Sequence, residues 1–228
     1  MTSCGNPRLR LDSHNMAPAS GKGITYGESL RRAERELSRR DPVLRQIIKR
    51  HGPCGLRPRT RHFEILARSI VSQQLSTRVA DTIIARLKKL SATRRFPTPQ
   101  QILATTDHDM RATGMSWGKI AYVKDLAARC ERGDLKRISR STDDEVTAVL
   151  VEVKGIGVWT AHMFLIFALG RLNVLPVGDL GIRRAIERAY ELTALPTEEE
   201  IKSIAAERGW NPYCSVASWF LWRSLSDK

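Results

Sequence analysis

The sequence predicts an all-α protein. Apolar residues recur every three or four positions along almost the whole chain, and no clear run alternates apolar and polar residues as a strand would. Short stretches rich in glycine, proline and helix-capping residues separate about ten such segments. The sequence also contains no repeat of fixed period.

The chain is strongly basic. Its 228 residues include 38 Lys and Arg against 24 Asp and Glu, which gives a net charge of +14, and 42% of the residues are hydrophobic. The hydrophobic content is typical of a globular protein. The positive excess favours a polyanionic partner, nucleic acid above all, because neutralised phosphates release condensed counterions. A solvated basic surface is the simpler alternative.

The N-terminal part of the chain predicts a tail followed by two helices. Residues 1–24 have no periodic apolar pattern, and we expect them to be a disordered basic tail. The stretch GESLRRAERELSRRDPVLRQIIKRHGPC then predicts a helix pair, the second helix opening with Asp41 as N-cap and Pro42 at its first position.

Two further helices flank the sequence SQQLST. The helix before it lies in RHFEILARSIVSQQL, and the helix after it begins at Ser76, a favourable N-cap. We expect inward-facing stripes at Phe63, Leu66, Ile70 and Val71 on the first and at Val79, Ile83 and Leu87 on the second.

The middle and C-terminal parts predict the remaining helices. Residues 98–133 contain a short helix, a glycine turn and a helix that ends at Gly133, and STDDEVTAVLVEV opens with a capping box of Thr142 and Glu145. An apolar helix runs from Trp159 to a glycine end at Gly170, and two more follow LPVGDLG and occupy SVASWFLWRSL.

Two of these helices, joined by VKGIG, form a candidate helix-hairpin-helix over residues 142–170. Gly155 and Gly157 leave the turn unshielded, so that backbone N–H groups can reach a phosphate oxygen. The dipole of the following helix and the charge of Lys154 would add to this attraction. Such a hairpin holds the DNA backbone without reading sequence. A plain turn between two helices is the alternative.

An acid follows the hairpin in LPVGDLGIRRAI. Asp179 stands directly before a helix, where N-capping alone would account for it.

The order of these motifs resembles the helix-hairpin-helix (HhH-GPD) superfamily of DNA glycosylases over roughly residues 25–226. The stretches SIVSQQLSTRVA, GMSWGKIAYVKDLA and WNPYCSVASWFLWR are similar to its AlkA-type 3-methyladenine DNA glycosylase II branch. The resemblance implies two helical lobes with the active-site cleft between them. A middle lobe, 60–175, would pack on a terminal lobe formed by 25–59 and 176–228.

The resemblance also implies a reaction. Trp159 stands where relatives of the endonuclease III type carry a nucleophilic lysine, so we expect water to be the nucleophile and expect no AP-lyase activity. Asp179 would stabilise the oxocarbenium-like sugar and orient that water. The face of Trp159 would stack on cationic alkylated purines such as 3-methyladenine and 7-methylguanine.

Further site residues follow from the same resemblance. Trp222 and Met163 would line the base pocket, although packing among the C-terminal helices explains Trp222 equally well. Gln74, or Leu75 next to it, would fill the gap left by the flipped base. The alternative is that Gln73 and Gln74 merely cap a helix end. The hairpin contacts with DNA would come from Lys154, Gly155, Gly157 and Thr160.

No cofactor is expected to take part in catalysis. The resemblance alone implies a structural Na⁺ or K⁺ held by backbone carbonyls of Val151, Val153 and Ile156. An iron-sulfur cluster is not expected, because Cys214 is the only cysteine near the C-terminus. We do not expect the N-terminal β domain of longer AlkA-type enzymes, because the stretch before Gly27 is short.

We expect a monomer that acts on double-stranded DNA containing alkylated bases. The sequence contains no run of 18 apolar residues that would predict a membrane span. Its four scattered cysteines suit a reducing compartment, so we expect a cytoplasmic protein, associated with the nucleoid if the source is a bacterium. Two alternatives stay open. A glycosylase for deaminated or oxidised bases would need a polar pocket, for which His162 is the nearest polar residue. A non-catalytic DNA-binding module would use the hairpin alone.

Overall fold

The computed structural model describes residues 24–227, and over that range it is all α-helical with no strand, which confirms the predicted fold class. Twelve helices are present: α1 (Tyr26–Arg40), α2 (Pro42–His51), α3 (His62–Ser72), α4 (Thr77–Lys89), α5 (Pro99–Ala104), α6 (Asp107–Ala112), α7 (Trp117–Arg132), α8 (Asp143–Val151), α9 (Val158–Phe167), α10 (Leu180–Ala189), α11 (Glu198–Glu207) and α12 (Cys214–Ser224). Apart from Ile24, the predicted disordered tail lies outside the described residues. Between residues 24 and 227, no helix combines the length and the apolar character that crossing a membrane requires.

The starts of α2 and α8 follow the predicted capping chemistry, whereas Ser76, at the N-cap of α4, makes no side-chain hydrogen bond to its helix. Asp41 caps α2, its Oδ1 accepting from the backbone N–H of Val43 at 2.9 Å, and Pro42 opens the helix. Thr142 and Glu145 form the predicted capping box of α8. Both caps satisfy N–H groups that have no partner inside their helix, which fixes the helix starts.

The inward face of α4 differs from the sequence prediction. Val79 is 45% exposed, and the buried residues of this helix are Ala80, Ile83, Ile84 and Leu87. These four residues lie at i, i+3, i+4 and i+7 and form the buried face of α4, and Val79 lies at the edge of that face.

Three helix assignments also differ. The region 98–133 contains two short helices, α5 and α6, before α7, rather than one. The apolar helix α9 ends at Phe167 instead of running to Gly170, because the backbone N–H of Leu169 already turns back to the carbonyl of Phe164. Helix α11 was not predicted, although a capping box of Thr197 and Glu200 marks its start.

The helices pack in two groups. In the first, α3 contacts α4, α7 and α9, α7 also contacts α5 and α6, and α8 pairs with α9. In the second, α12 contacts α1, α2 and α10, and α1 also contacts α2. The first group comes from the middle of the chain and the second from both ends, as the two-lobed fold requires. The residue boundaries of the lobes stay a prediction.

The loop between α9 and α10 joins the two groups and carries Asp179. Ser215, at the start of α12, is fully buried and holds this loop from both sides. Its backbone N–H donates to the carbonyl of Leu172 at 3.0 Å, and its hydroxyl accepts from the backbone N–H of Val174 at 2.9 Å. The terminal group therefore fixes the course of the loop that leads to Asp179.

Candidate active site

Asp179 lies at the junction of the two groups of helices and is 9% exposed. Its Oδ1 accepts a hydrogen bond from the backbone N–H of Ile182 at 2.8 Å, so it caps α10 as the sequence predicted. The cap fixes the position of the carboxylate at the start of α10. N-capping and a role in chemistry are therefore compatible at this position.

Two tryptophans from different helices donate to this one carboxylate. The indole Nε1–H of Trp159, on the first turn of α9, lies 2.6 Å from Oδ2 of Asp179. Nε1–H of Trp222, on α12, lies 2.9 Å from Oδ1. A carboxylate can accept about four hydrogen bonds, and these two together with the cap use three. One acceptor position of Asp179 is left for water or a substrate.

The aromatic faces beside Asp179 stay open. Trp159 is 49% exposed, and Phe167 of α9 is 37% exposed. The rings of Phe167 and Trp222 lie 5.5 Å apart at 34°, so contact with Phe167 holds Trp222 from one side. An acid lined by open π faces is suited to a flat cationic ligand.

The sequence reasoning missed Phe167, although a signal was available. Trp159, Met163 and Phe167 follow one another at i, i+4 and i+8, so they lie along one face of α9. Met163 is half-buried and packs against the core between the two aromatic residues.

The helix-hairpin-helix turn lies between α8 and α9. Gly155 has a φ of +82°, and a Cβ there would stand 2.3 Å from Cδ2 of Tyr122. Among the described residues no side chain caps α9, which begins after Gly157, so its first-turn N–H groups stay available to an anion. Lys154 is exposed on the same turn, whereas Thr160 is buried, so its side chain packs inside the protein and not on a DNA-binding surface.

The three carbonyls assigned to a monovalent cation belong to the same turn. Val153 and Ile156 are buried and Val151 is 40% exposed. The carbonyl of Val153 accepts from the backbone N–H of Ile156 at 3.0 Å, which occupies one of its two lone pairs. Over residues 24–227 no cluster of His, Cys, Asp or Glu side chains could hold a metal ion.

The loop between α3 and α4 carries the predicted wedge and is held on two sides. Gln74 is exposed with a φ of +56°, and Leu75 is 36% exposed. The side-chain amide of Gln73 donates to the carbonyl of Gly155 at 2.7 Å, which ties the loop to the hairpin. The backbone carbonyl of Gln73 accepts from Nζ of Lys119 at 2.7 Å, which ties the loop to α7. The side chain of Gln73 therefore acts as a link, not as a cap.

Lys119 is a second residue that the sequence reasoning missed. Its Nζ also donates to the carbonyl of Val71 at 2.8 Å, and burial lowers its pKa. It lines a groove of about 770 Å³ together with the wedge loop, Tyr122, Gly155 and Trp159. The groove thus connects the wedge loop, the hairpin and an aromatic ring of the Asp179 site.

Replacing Gly155 by Ala is expected to destabilise the protein and weaken its binding to DNA, because the new Cβ collides with Tyr122 at a left-handed backbone position. The collision and the positive φ together predict a loss of about 2 kcal/mol in the free energy of unfolding. Gly157→Ala is the matched control, since a Cβ at Gly157 meets nothing within 4 Å. Urea unfolding of both variants measures the difference, and equal stabilities would contradict the role given to Gly155.

Comparison with known proteins gives matches over most of the chain. The family model described as "HhH-GPD superfamily base excision DNA repair protein" matches residues 67–212. DNA-3-methyladenine glycosylase 1 of Schizosaccharomyces pombe is 33% identical over 205 residues, which cover 86% of this chain and 88% of that protein.

Two solved structures are similar throughout the fold. A 3-methyladenine DNA glycosylase of Schizosaccharomyces pombe in complex with abasic DNA has a TM-score of 0.74 and 32% identity, and the match covers 85% of this chain and 96% of that one. A DNA-3-methyladenine glycosidase from Bacillus halodurans has a TM-score of 0.77 and 31% identity, with 86% and 89% covered. The family match contains the wedge loop, the hairpin and Asp179, and the chain belongs to the HhH-GPD superfamily of base excision DNA repair proteins.

Proposed function

We propose that the protein is a monofunctional DNA glycosylase that releases cationic alkylated purines, such as 3-methyladenine and 7-methylguanine, from double-stranded DNA. The observation that carries this proposal is the Asp179 carboxylate held by the indole N–H groups of Trp159 and Trp222 beside open aromatic faces. The relatives named as 3-methyladenine DNA glycosylases support the same substrate class.

The proposed chemistry uses the charge of the substrate. A purine alkylated on a ring nitrogen is cationic and leaves without strong protonation, so the sugar is the part that needs stabilisation. As the N-glycosidic bond breaks, the sugar becomes oxocarbenium-like, and the nearby carboxylate of Asp179 lowers the energy of that state. The acceptor position left on Asp179 can hold the attacking water and receive its proton.

The same arrangement supports hydrolysis without strand cleavage. Trp159 offers an indole at the start of α9 and no amine that could form a Schiff base with the sugar. Its N–H is directed at Asp179, which holds in place a ring that lines the groove. Release of the base would then leave an intact abasic site.

The surroundings of His162 do not favour a glycosylase for neutral bases. Burial lowers the pKa of His162, although the charges of Asp143 on α8 and Glu198 on α11 partly oppose that shift. The charges that act on His162 are therefore those of two acids, whereas the side chains that donate to Asp179 are indoles. A non-catalytic DNA-binding module would need neither the buried Asp179 nor its two indole donors.

We also propose that the hairpin binds a Na⁺ or K⁺ ion through the backbone carbonyls of Val151, Val153 and Ile156. When bound, the ion would add positive charge to the hairpin where a phosphate approaches. Potassium or sodium titration of DNA binding by the purified protein would test it, with lithium as the control ion.

The activity is tested by incubating the protein with duplex DNA that contains one 7-methylguanine. Half of each reaction is then treated with alkali, and strand breaks are compared between the two halves. We expect a strand break only after alkali, because hydrolysis leaves an alkali-labile abasic site. The same duplex without the lesion is the control. Cleavage without alkali would show a lyase, and an absence of product for both 7-methylguanine and 3-methyladenine would overturn the proposed function.

A further inference from the structure

Gly181 is a glycine that the backbone of its helix does not explain. It is the second residue of α10, two positions after Asp179, and its φ lies outside the left-handed range that favours glycine. In helical backbone of this kind alanine is more favourable than glycine. The reason for a glycine at this position therefore lies in what surrounds it.

The space beside Gly181 is filled by the active site. A Cβ at this position would stand 2.9 Å from Oδ1 of Asp179 and 3.2 Å from both Cδ1 and Nε1 of Trp222. Six of the twelve glycines between residues 24 and 227 have an ordinary φ, and among these six only Gly181 would bring a Cβ within 3.0 Å of another side chain. A side chain at position 181 would thus displace the carboxylate, the indole or both.

Helix α2 shows that capping by an aspartate does not by itself exclude a side chain at the second helical position. Val43 occupies that position after Asp41, whose Oδ1 accepts from the backbone N–H groups of Val43 and Leu44. The indole of Trp210 donates to the other oxygen, Oδ2, at 2.9 Å. Because the cap and the indole use different oxygens of Asp41, the start of α2 has room for a valine.

At Asp179 the cap and one indole share an oxygen. Oδ1 accepts from the backbone N–H of Ile182 at 2.8 Å and from Nε1–H of Trp222 at 2.9 Å. The indole of Trp222 therefore lies against the first turn of α10, in the space that a side chain at position 181 would occupy. Glycine at this position is what allows the two donors to meet on one oxygen.

The shared oxygen decides where a ligand can bind Asp179. A carboxylate oxygen accepts about two hydrogen bonds, and Oδ1 of Asp179 accepts two from the protein. Within residues 24–227, Oδ2 accepts one, from Trp159 at 2.6 Å, so the acceptor position that is left lies on Oδ2. Asp41 differs, because its Oδ2 accepts from both Trp210 and Tyr190. An indole moved from Oδ1 to Oδ2 would fill the corresponding position on Asp179.

We propose that Gly181 is a positioning residue of the active site. The absence of a side chain allows Trp222 to donate to Oδ1 of Asp179, and this keeps the remaining acceptor position on Oδ2, beside Trp159. The inference rests on the proposed function, because the remaining acceptor position is the one assigned to the attacking water. Gly181 acts only through Asp179 and Trp222.

Replacing Gly181 by Ala adds a single methyl group and tests the inference with the smallest change. We expect the single-turnover rate of 7-methylguanine excision to fall by roughly tenfold to a hundredfold, because displacing a reacting group by about 1 Å costs up to about a hundredfold. Affinity for an abasic-analogue duplex should stay near that of wild type, since that duplex places no base against Trp222. The variant should remain folded, because alanine favours the helix.

Gly27→Ala is the matched control. Gly27 is also the second residue of a helix, α1, and the nearest atom to a Cβ there would be Nη1 of Arg31, at an ordinary contact distance of 3.7 Å. The same chemical change at the same helical position should therefore leave the excision rate at the wild-type value.

A spectroscopic signature reports the position of the indole independently of activity. In protein that contains ¹⁵N-labelled tryptophan, Trp222→Phe identifies the Nε1–H resonance of Trp222. In Gly181→Ala this resonance should shift upfield and exchange faster with water, because the hydrogen bond to Asp179 is lost. The resonance of Trp210, whose N–H donates to the buried Asp41, should keep its wild-type position.

A double variant shows whether the methyl group acts through the indole. Trp222→Phe already lacks the N–H donor, so adding Gly181→Ala to it should lower the excision rate by less than about twofold further. A purely structural effect of the methyl group would instead be as large in this background as in wild type.

The inference is overturned if Gly181→Ala excises at the wild-type rate, if its Trp222 resonance does not move, or if its effect on the rate is equally large without the Trp222 indole. Excision by wild-type protein, measured separately, decides the proposed function. Normal wild-type excision with an unaffected Gly181→Ala would reject this inference alone. A Trp222 resonance that shifts in Gly181→Ala, in a protein that excises no alkylated purine, would reject the proposed function alone.

Discussion

Replacing Asp179 by Asn is expected to reduce the rate of base excision by a hundredfold or more, the usual effect of removing an electrostatic group that acts on the transition state. The amide keeps an oxygen that can cap α10, so the variant should fold. Its NH₂ group, however, replaces the oxygen that accepts from Trp159 at 2.6 Å, and two donors then face each other. Single-turnover excision of 7-methylguanine measures the change.

Binding separates this effect from a loss of recognition. We expect Asp179→Asn to bind an abasic-analogue duplex with nearly wild-type affinity, because the hairpin and the wedge loop are untouched. Asp81→Asn, at an exposed position on α4, is the matched control and should excise at the wild-type rate. Full activity of Asp179→Asn would remove the basis for the proposed mechanism.

Replacing Asp41 by Ala is expected to produce the largest loss of stability among these changes. Asp41 is fully buried and accepts from the indole Nε1–H of Trp210 at 2.9 Å, from the hydroxyl of Tyr190 and from two backbone N–H groups of α2. Burial raises the pKa of Tyr190, and its hydrogen bond to Asp41 raises it further, so the hydroxyl remains a donor. Four donors without a partner predict a loss of about 4 kcal/mol or more.

Urea unfolding measures this loss, and two milder variants keep it measurable if Asp41→Ala does not fold. Tyr190→Phe removes one donor and keeps the other three partners of Asp41, so about 1 kcal/mol is expected. Asp41→Asn keeps the cap and should fall between the two. Among molecules that remain folded, the excision rate should be that of wild type. A variant Asp41→Ala within 1 kcal/mol of wild type would contradict the cluster's structural role.

Asp41 and Asp179 have nearly the same local chemistry. Each caps a helix and each accepts from at least one indole N–H. The difference lies in the rings: Trp210 is fully buried, whereas Trp159 is 49% exposed. One aspartate therefore stabilises the core, and the other faces a surface that a ligand can reach.

The sequence by itself determined the all-α class, most of the helices, the caps at Asp41 and Thr142, and the family. Apolar periodicity and capping chemistry act over a few residues, so their signals are local and can be read directly. The same locality explains the error at Val79, since neighbouring positions on one helix differ little in pattern and only packing decides which of them is buried.

The tertiary structure alone decided which groups meet. Trp222 reaches Asp179 from 43 residues away, Gln73 binds the hairpin across 82 residues, and Lys119 holds a loop 46 residues before it. The role of Phe167 likewise depends on exposure, because a buried and an open aromatic residue have the same pattern in sequence. Contacts between distant segments depend on how whole helices pack, and no short stretch of sequence contains that information.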